Sequence, residues 1–345
     1  MYRGASVAVV VPAYNEEGFV GEVVDTLPAF VDRVYAVDDA STDGTWAEIR
    51  RHCRRANERR TPEADLPTLE QGGRQVPPDQ FAVPVRHADN GGRGRCVKDG
   101  YRMAREAGFD VTAVMDGDGQ MDPGELDRIL DPVVTGEADY AKGSRLQDRS
   151  HLAGMSRFRL FGNVLLSFLT NLSSGYWGMA DSQNGYTAVS LRALETIPVE
   201  ELYDGYGFLN DILTALNVHD FRIAEVPHPA VYADEESGIR YASFVPTLSL
   251  LLLSNFLGRL HTQYVADGLH ATAVCYSLGA LAAGLGVLDA TATVLIGGLA
   301  VLGSLPAAVL LVAGLVGLLL GVALDIQHNS DLAYRSDSRA PGGQQ

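Results

Sequence analysis

Residues 113–123 read AVMDGDGQMDP, and how this stretch is read decides the fold. Ala113, Val114 and Met115 look like the end of a buried strand, yet the next seven residues hold three aspartates, two glycines and a glutamine. Carboxylates this close repel one another, so the stretch needs either full solvation or a cation. The same pattern occurs twice upstream. The run 9-VVVPAYNEEG-18 carries an apolar strand into Glu16 and Glu17, and 36-AVDDASTDGT-45 carries another into Asp38 and Asp39. In open parallel sheets, ligands bind beyond the carboxyl ends of the strands. Three acid-loaded strand ends therefore aim at one crevice, and a divalent cation resolves their repulsion because hard oxygen ligands suit Mg2+ or Mn2+.

Working outward, short apolar runs alternate with amphipathic stretches up to about Gly238, which predicts an α/β fold with a mostly parallel sheet flanked by helices. Strands are expected at 6–12, 31–38, 81–87, 111–115, 140–144 and 185–190, and helices at 16–26, 42–57, 94–107 and 124–135. Asp122, followed by Pro123, reads as a helix cap rather than a metal ligand. Residues 58–80 are rich in Pro and charge without periodicity, and read as an exposed insertion in a domain spanning 1–238. The turn 87-HADNGGRGRCVKDGYRMA-104 lacks the G-x-G-x-x-G spacing. It reads as a loop and helix start facing anionic groups, with Arg93 as countercharge.

The formal charge is −16, which argues against nucleic acid as a partner. Lys98 and Lys142 are the only lysines among 27 basic residues, and an acidic, Arg-over-Lys surface suits a salt-rich, halophilic cytosol. Cys53, Cys96 and Cys275 are scattered, with neither a disulfide framework nor a zinc spacing. The start MYRGASVAVVVP has no signal-peptide pattern, which places the amino-terminal part in the cytosol.

Five apolar residues, Phe158, Phe161, Leu165, Phe168 and Leu172, fall on one helical face and are expected to be core. Residues 239–266 suit an amphipathic helix at a membrane interface. From 268 to 326 the only charges are Asp289 and Asp325. Two membrane helices are expected there, at 269–288 and 306–324, with a third possible. Arg240 and Arg259 precede the first and Arg335 and Arg339 follow the second, favouring a hairpin with both ends cytoplasmic. Residues 327–345 read as a flexible tail.

The motifs VVVPAYNEE, VDDASTDGT, NGGRG, MDGDGQMDP, GSR and DSQNGY resemble, in order and spacing, the inverting family 2 glycosyltransferases of the GT-A fold. The closest subgroup is the membrane-bound dolichyl- or polyprenyl-phosphate hexose synthases. The resemblance implies that Pro12, Ala13, Tyr14 and Glu16 form the nucleotide-binding strand end, that Asp38 and Asp39 hold base and ribose, and that Asp116 and Asp118 are the D-x-D pair. It further implies that Gln120 joins the metal shell, that Arg145 faces an acceptor phosphate with Arg149 or Arg157 as a second cation, and that Asp181 and Asp211 border the acceptor. The segment 234-DEESGIRYASF-244 departs from the usual acceptor clamp, where Ser237 and Arg240 stand in. A Q-x-x-R-W polymerase pattern is absent.

The expected activity is transfer of glucose or mannose from a nucleoside-diphosphate sugar, UDP-glucose or GDP-mannose, to dolichyl or polyprenyl phosphate, with Mg2+ or Mn2+. The expected setting is a multi-pass protein of the cell membrane with its catalytic domain facing the cytoplasm and membrane lipid as a partner. Two alternatives are a transferase that extends a lipid-linked oligosaccharide and a non-catalytic nucleotide-binding scaffold.

Overall fold

Val7–Ala13 is apolar on both faces and buried at every position, the signature of a central parallel strand covered on both sides. The computed structural model describes residues 1–60, 69–70, 80–145, 157–228, 241–266, 268–296 and 307–336. In chain order its elements are β1 (Val7–Ala13), α1 (Val20–Thr26), β2 (Arg33–Asp38), α2 (Thr45–Arg60), β3 (Leu69–Glu70), β4 (Ala82–Arg86), α3 (Arg93–Glu106), β5 (Val111–Val114), α4 (Leu126–Val134) and β6 (Tyr140–Ser144). There follow α5 (Arg157–Ser174), β7 (Thr187–Ser190), α6 (Leu191–Thr196), α7 (Phe208–Val218), β8 (Ile223–Pro227), α8 (Tyr241–Tyr264), α9 (Ala271–Ile296), α10 (Ala307–His328) and β9 (Ala333–Arg335).

The described strands form one sheet in the order β3-β4-β2-β1-β5-β7-β6-β8-β9. Every pairing is parallel except those of β7, which runs antiparallel to β5 and β6. The two-residue alternation of β1 splits the core. Val7, Val9 and Val11 pack with Val20, Ile49, Leu126 and Ile129 of α1, α2 and α4. Ala8 and Val10 pack with Val97, Leu194 and Leu213 of α3, α6 and α7. Because β1, β2 and β5 are parallel, their acidic carboxyl ends share one edge of the sheet. The α/β expectation holds.

Several boundaries differ. The expected insertion at 58–80 begins inside α2, which runs to Arg60, and contains the edge strand β3 paired with β4. Of the apolar stripe expected as core on α5, Leu165 and Phe168 are 45% and 50% exposed and Leu172 is half-buried, whereas Ser167, Thr170, Asn171, Ser173 and Ser174 are buried; the side chains of Phe158 and Phe161 lie outside the described residues. A helix that hides its polar face and shows its apolar one is not packed as a soluble protein packs. Helix α8 likewise exposes Val245, Leu250, Leu253 and Leu257.

Two helices, residues 271–293 within α9 and Ala307–His328, are long and apolar enough to cross a membrane. They pack along small residues: a Cβ on Gly279 would come within 2.6 Å of the Leu318 backbone nitrogen, so only glycine lets the helix backbones approach this closely. The rest of their surface shows Leu278, Leu281, Val312, Leu315 and Leu319. After α10 the chain returns to the sheet. Ala333–Arg335, expected as part of a flexible tail, is strand β9, paired in parallel with β8. The beginning of α9 and the end of α10 thus lie on the catalytic side of the hairpin.

Candidate active site

The site starts at β1. The Ala13 carbonyl accepts from the Asp39 amide at 2.9 Å, and the Pro12 carbonyl accepts from the Gly117 amide at 3.0 Å, so the end of β1 joins the two acidic turns beside it. A Cβ on Gly117 would meet the Ala13 Cβ and the Pro12 oxygen at 3.1 Å, a tight fit that glycine avoids. Tyr14 lies open at the mouth, 46% exposed. The Glu16 amide donates to the Thr45 hydroxyl at 2.8 Å, and Glu48 accepts from the amides of Gly18 and Gly21, which ties the β1–α1 turn to α2.

Asp38 and Asp39, expected to hold base and ribose, are buried and turned inward. Asp38 pairs with Arg86 at 3.0 Å. Asp39 accepts from His87 Nδ1 at 2.8 Å and from the amides of Gly91 and Gly92 at 3.0 and 2.7 Å, so it shapes the NGG turn. His87 Nε2 donates to Asp99 at 3.0 Å. Burial alone would push His87 toward neutrality, but its hydrogen bonds to Asp39 and Asp99 outweigh that and lift its pKa to about 11. Asp39, His87 and Cys96 bring ligand atoms within 4.8 Å of one another. Both ring nitrogens are engaged by carboxylates, however, and burial raises the Cys96 thiol pKa, so the trio is an imidazolium clasp rather than a metal centre.

Asp116 and Asp118 follow β5, part-exposed. Arg93, the first residue of α3, donates from Nε to Asp116 at 2.7 Å and from Nη2 to the Gly185 carbonyl at 3.2 Å. The second Asp116 oxygen faces Gly185, where a Cβ would intrude to 2.9 Å. Asp118 accepts from the Gln120 amide at 3.0 Å. Asp122 accepts from the Gly124 amide at 2.8 Å with Pro123 at the next position, so it caps the following turn as expected. The carboxylates of Asp116 and Asp118 and the side-chain carbonyl of Gln120 are hard-oxygen donors of the kind that suit Mg2+ or Mn2+, and the Arg93 guanidinium lies against Asp116 beside Gly185.

The second half of the site lies beyond β6. Arg145 grips Asp181 through its backbone amide at 3.1 Å, Nε at 2.9 Å and Nη2 at 3.3 Å. Burial raises the pKa of Asp181, but Arg145 and Lys142 overcome this and hold the carboxyl below its usual range. The amides of Ala180 and Asp181 donate to Glu225 at 3.0 and 2.9 Å. Lys142, beneath this pair on β6, is buried, and desolvation lowers its pKa to about 8 against the pull of Asp181 and Glu225. Asn184 meets His228 at 2.7 Å, and the Tyr186 hydroxyl donates to the Asp122 carbonyl at 3.0 Å, which ties the DSQNGY segment to the D-x-D turn. Asp211 is raised in pKa by burial and accepts from the Tyr203 amide at 2.7 Å, bracing the 203–205 loop that lies against Gly92 and Gly94. Arg157 opens α5. Arg149, Ser237 and Arg240 lie outside the described residues.

The structure thus brings together Pro12, Ala13, Asp116, Asp118 and the 181–186 segment, and joins Arg145 to Asp181. Sequence reasoning passed over His87, Arg86, Lys142 and Glu225. His87 ends the third expected strand just before NGG, and Lys142 is one of the two lysines in the chain, so both carried a signal. Glu225 lies on a strand that the periodicity reading did not find.

Residues 8–65 match the Glycosyl transferase family 2 model. A UDP-N-acetylglucosamine–dolichyl-phosphate N-acetylglucosaminyltransferase of Methanococcus voltae is 27% identical over 227 residues, 65% of this chain and 85% of that protein. An undecaprenyl-phosphate mannosyltransferase of Micrococcus luteus is 29% identical over 241 residues, 64% and 82% of the two chains. Among solved structures, glucosyl-3-phosphoglycerate synthase from Mycobacterium tuberculosis aligns with a TM-score of 0.48 at 19% identity, covering 74% of this chain and 80% of that one. By motifs, by the match over residues 8–65 and by these relatives, the chain is similar to the polyprenyl-phosphate sugar transferases of glycosyl transferase family 2.

Proposed function

We propose that the protein transfers a hexose, glucose or mannose, from a nucleoside-diphosphate sugar to the phosphate of dolichol or another polyprenol, with inversion at the anomeric carbon. The observation that carries this reading is the Arg93 bridge. It clips Asp116 of the D-x-D turn to Gly185 of the segment that also holds Asp181 and Arg145, so a donor diphosphate and an acceptor phosphate would meet across one crevice. The named activities of the Methanococcus and Micrococcus relatives support a lipid-phosphate acceptor.

An acceptor phosphate oxygen attacks the anomeric carbon as the bond to the diphosphate breaks, and the nucleoside diphosphate leaves. That oxygen is already ionised near neutral pH, so no strong base is required. Asp181 fits this chemistry: a carboxylate held by Arg145 and depressed in pKa is a poor proton acceptor but a firm mount for the guanidinium. Arg145 then neutralises the acceptor phosphate. Asp116, Asp118 and Gln120 would hold Mg2+ or Mn2+, which offsets charge developing on the leaving diphosphate. The apolar faces of α5 and α8, continuous with the α9–α10 hairpin, suit a catalytic domain lying on the cytoplasmic face of the membrane.

The test is a panel of radiolabelled UDP- and GDP-sugars given to purified membranes with dolichyl phosphate, polyprenyl phosphate or a lipid-linked oligosaccharide, with Mg2+ or Mn2+. Label in the lipid extract with a bare lipid phosphate is the expected result. Transfer only to the lipid-linked oligosaccharide would move the acceptor one step later, and no lipid product with any donor ends the reading.

A further inference from the structure

Asp325, near the carboxyl end of membrane helix α10, is fully buried and accepts hydrogen bonds from several elements at once. Arg259 of α8 donates to both its oxygens at 2.8 Å, the Tyr264 hydroxyl at 2.6 Å, Trp177 Nε1 at 3.1 Å and Asn329 Nδ2 at 3.0 Å. Arg259, also buried, donates on to the end of α5, with Nε reaching the Ser173 carbonyl and Nη2 the Leu172 carbonyl, each at 3.0 Å, and Nη1 reaching Gln263 at 3.0 Å. A buried ion pair of this kind is a poor source of net stability, because desolvation offsets its attraction, but it fixes relative position stringently.

What α5 does with that position is visible one turn back. Asn171 Nδ2 donates to the Met179 carbonyl at 3.1 Å, and the Ser167 hydroxyl donates to the Ala180 carbonyl at 2.9 Å. The next residue is Asp181, the mount of Arg145. A continuous set of hydrogen bonds therefore runs from α10 through Arg259 and α5 to the acceptor half of the site. Among the described residues no comparable chain reaches Asp39, which is held by His87 and the amides of Gly91 and Gly92, whereas Asp116 is joined to Gly185 through Arg93.

We propose that Arg259 and Asp325 are positioning residues through which the α9–α10 hairpin sets the acceptor-side segment 179–184, leaving the turn at Asp39 independent of it. The functional half of this statement rests on the lipid-phosphate reading above; the structural half does not. The full chain in lipid nanodiscs is compared with two variants. Trp177→Phe removes a single donor to Asp325. The pair Arg259→Met with Asp325→Leu removes both charges together, so that neither is left buried and unpaired.

Hydrogen exchange should rise at the 179–184 amides in both variants, more in the double variant, while exchange at 39–44 stays unchanged. In the double variant the KM for the polyprenyl phosphate should rise about tenfold with the nucleotide-sugar KM within about twofold, a split that general loosening would not produce. Unchanged exchange at 179–184 overturns the proposal, as does an equal rise in both KM values. If the wild-type chain glycosylates no polyprenyl phosphate, the functional reading fails and the exchange data still decide the coupling.

Discussion

The two halves of the site are built by different means. Around the donor side, Asp38, Asp39, Asp116 and Asp118 follow parallel strands, and the contacts that set them come from neighbouring turns: Asp39 by Gly91, Gly92 and His87, Asp118 by the Gln120 amide. Around the acceptor side, Arg145 leans on Asp181, whose amide is held by Glu225 two strands away, while the flanking segment hangs on a helix locked to the membrane hairpin. A site for a soluble nucleotide sugar needs only the sheet edge. A site for a lipid headgroup must keep its place relative to a bilayer, and here its supports come from the elements that would contact one.

This contrast can be broken at either side. The largest effect is expected from Asp118→Ala, which should lower kcat about a thousandfold by removing a ligand for the charge-stabilising cation, with membrane insertion intact; a normal rate at saturating Mg2+ or Mn2+ would exclude the metal role. Arg145→Lys keeps the charge beside Asp181 but not the fork. It should raise the acceptor KM about tenfold with little change in nucleotide binding by calorimetry, and an equal loss of donor affinity would erase the division between the halves.

His87→Gln should cost about 1–3 kcal/mol of stability near neutral pH, since Asp39 and Asp99 lose a charged donor. The sign with pH is set by a folded-state pKa raised from 6.5 to about 11. The histidine's contribution is fully present below pH 6.5 and is lost as pH rises through about 11. The gap in melting temperature between wild type and variant should therefore shrink steadily between those limits; a gap that widens with alkalinity contradicts the imidazolium. Gly185→Ala is expected to act least, a few-fold in kcat/KM, because the Arg93 side chain can swing away from the new methyl group. Crystallography of that variant should show the Arg93–Asp116 contact displaced.

The donor half was the readable one. Its acids sit within a few residues of β-branched runs, and both strand period and turn composition mark them, so Asp116 and Asp118 stand out from local pattern, as does Asp122, which caps the next turn. The periodicity of α5 marks a stripe, and its exposed members Leu165 and Phe168 were expected as core because the pattern reports which face is apolar and not which solvent it meets. Glu225 escaped notice, and Arg259 and Asp325 registered only as charges in and beside the apolar spans, for another reason. Each is an isolated charge in an apolar stretch, and its meaning lies in a partner tens of residues away, which no local window contains. Strand β9, three residues long, is too short for alternation to register.

That short strand bears on how the molecule is made. The edge of β8 is covered by residues that leave the ribosome only after both α9 and α10, the helices long and apolar enough to cross a membrane. Until then the catalytic sheet ends in a strand with unpaired backbone donors and acceptors, the kind of edge that recruits foreign chains. Completion of the soluble domain is thus made to wait on completion of its anchor, and a chain stalled before α10 would display an open sheet edge to the quality-control machinery of the cell.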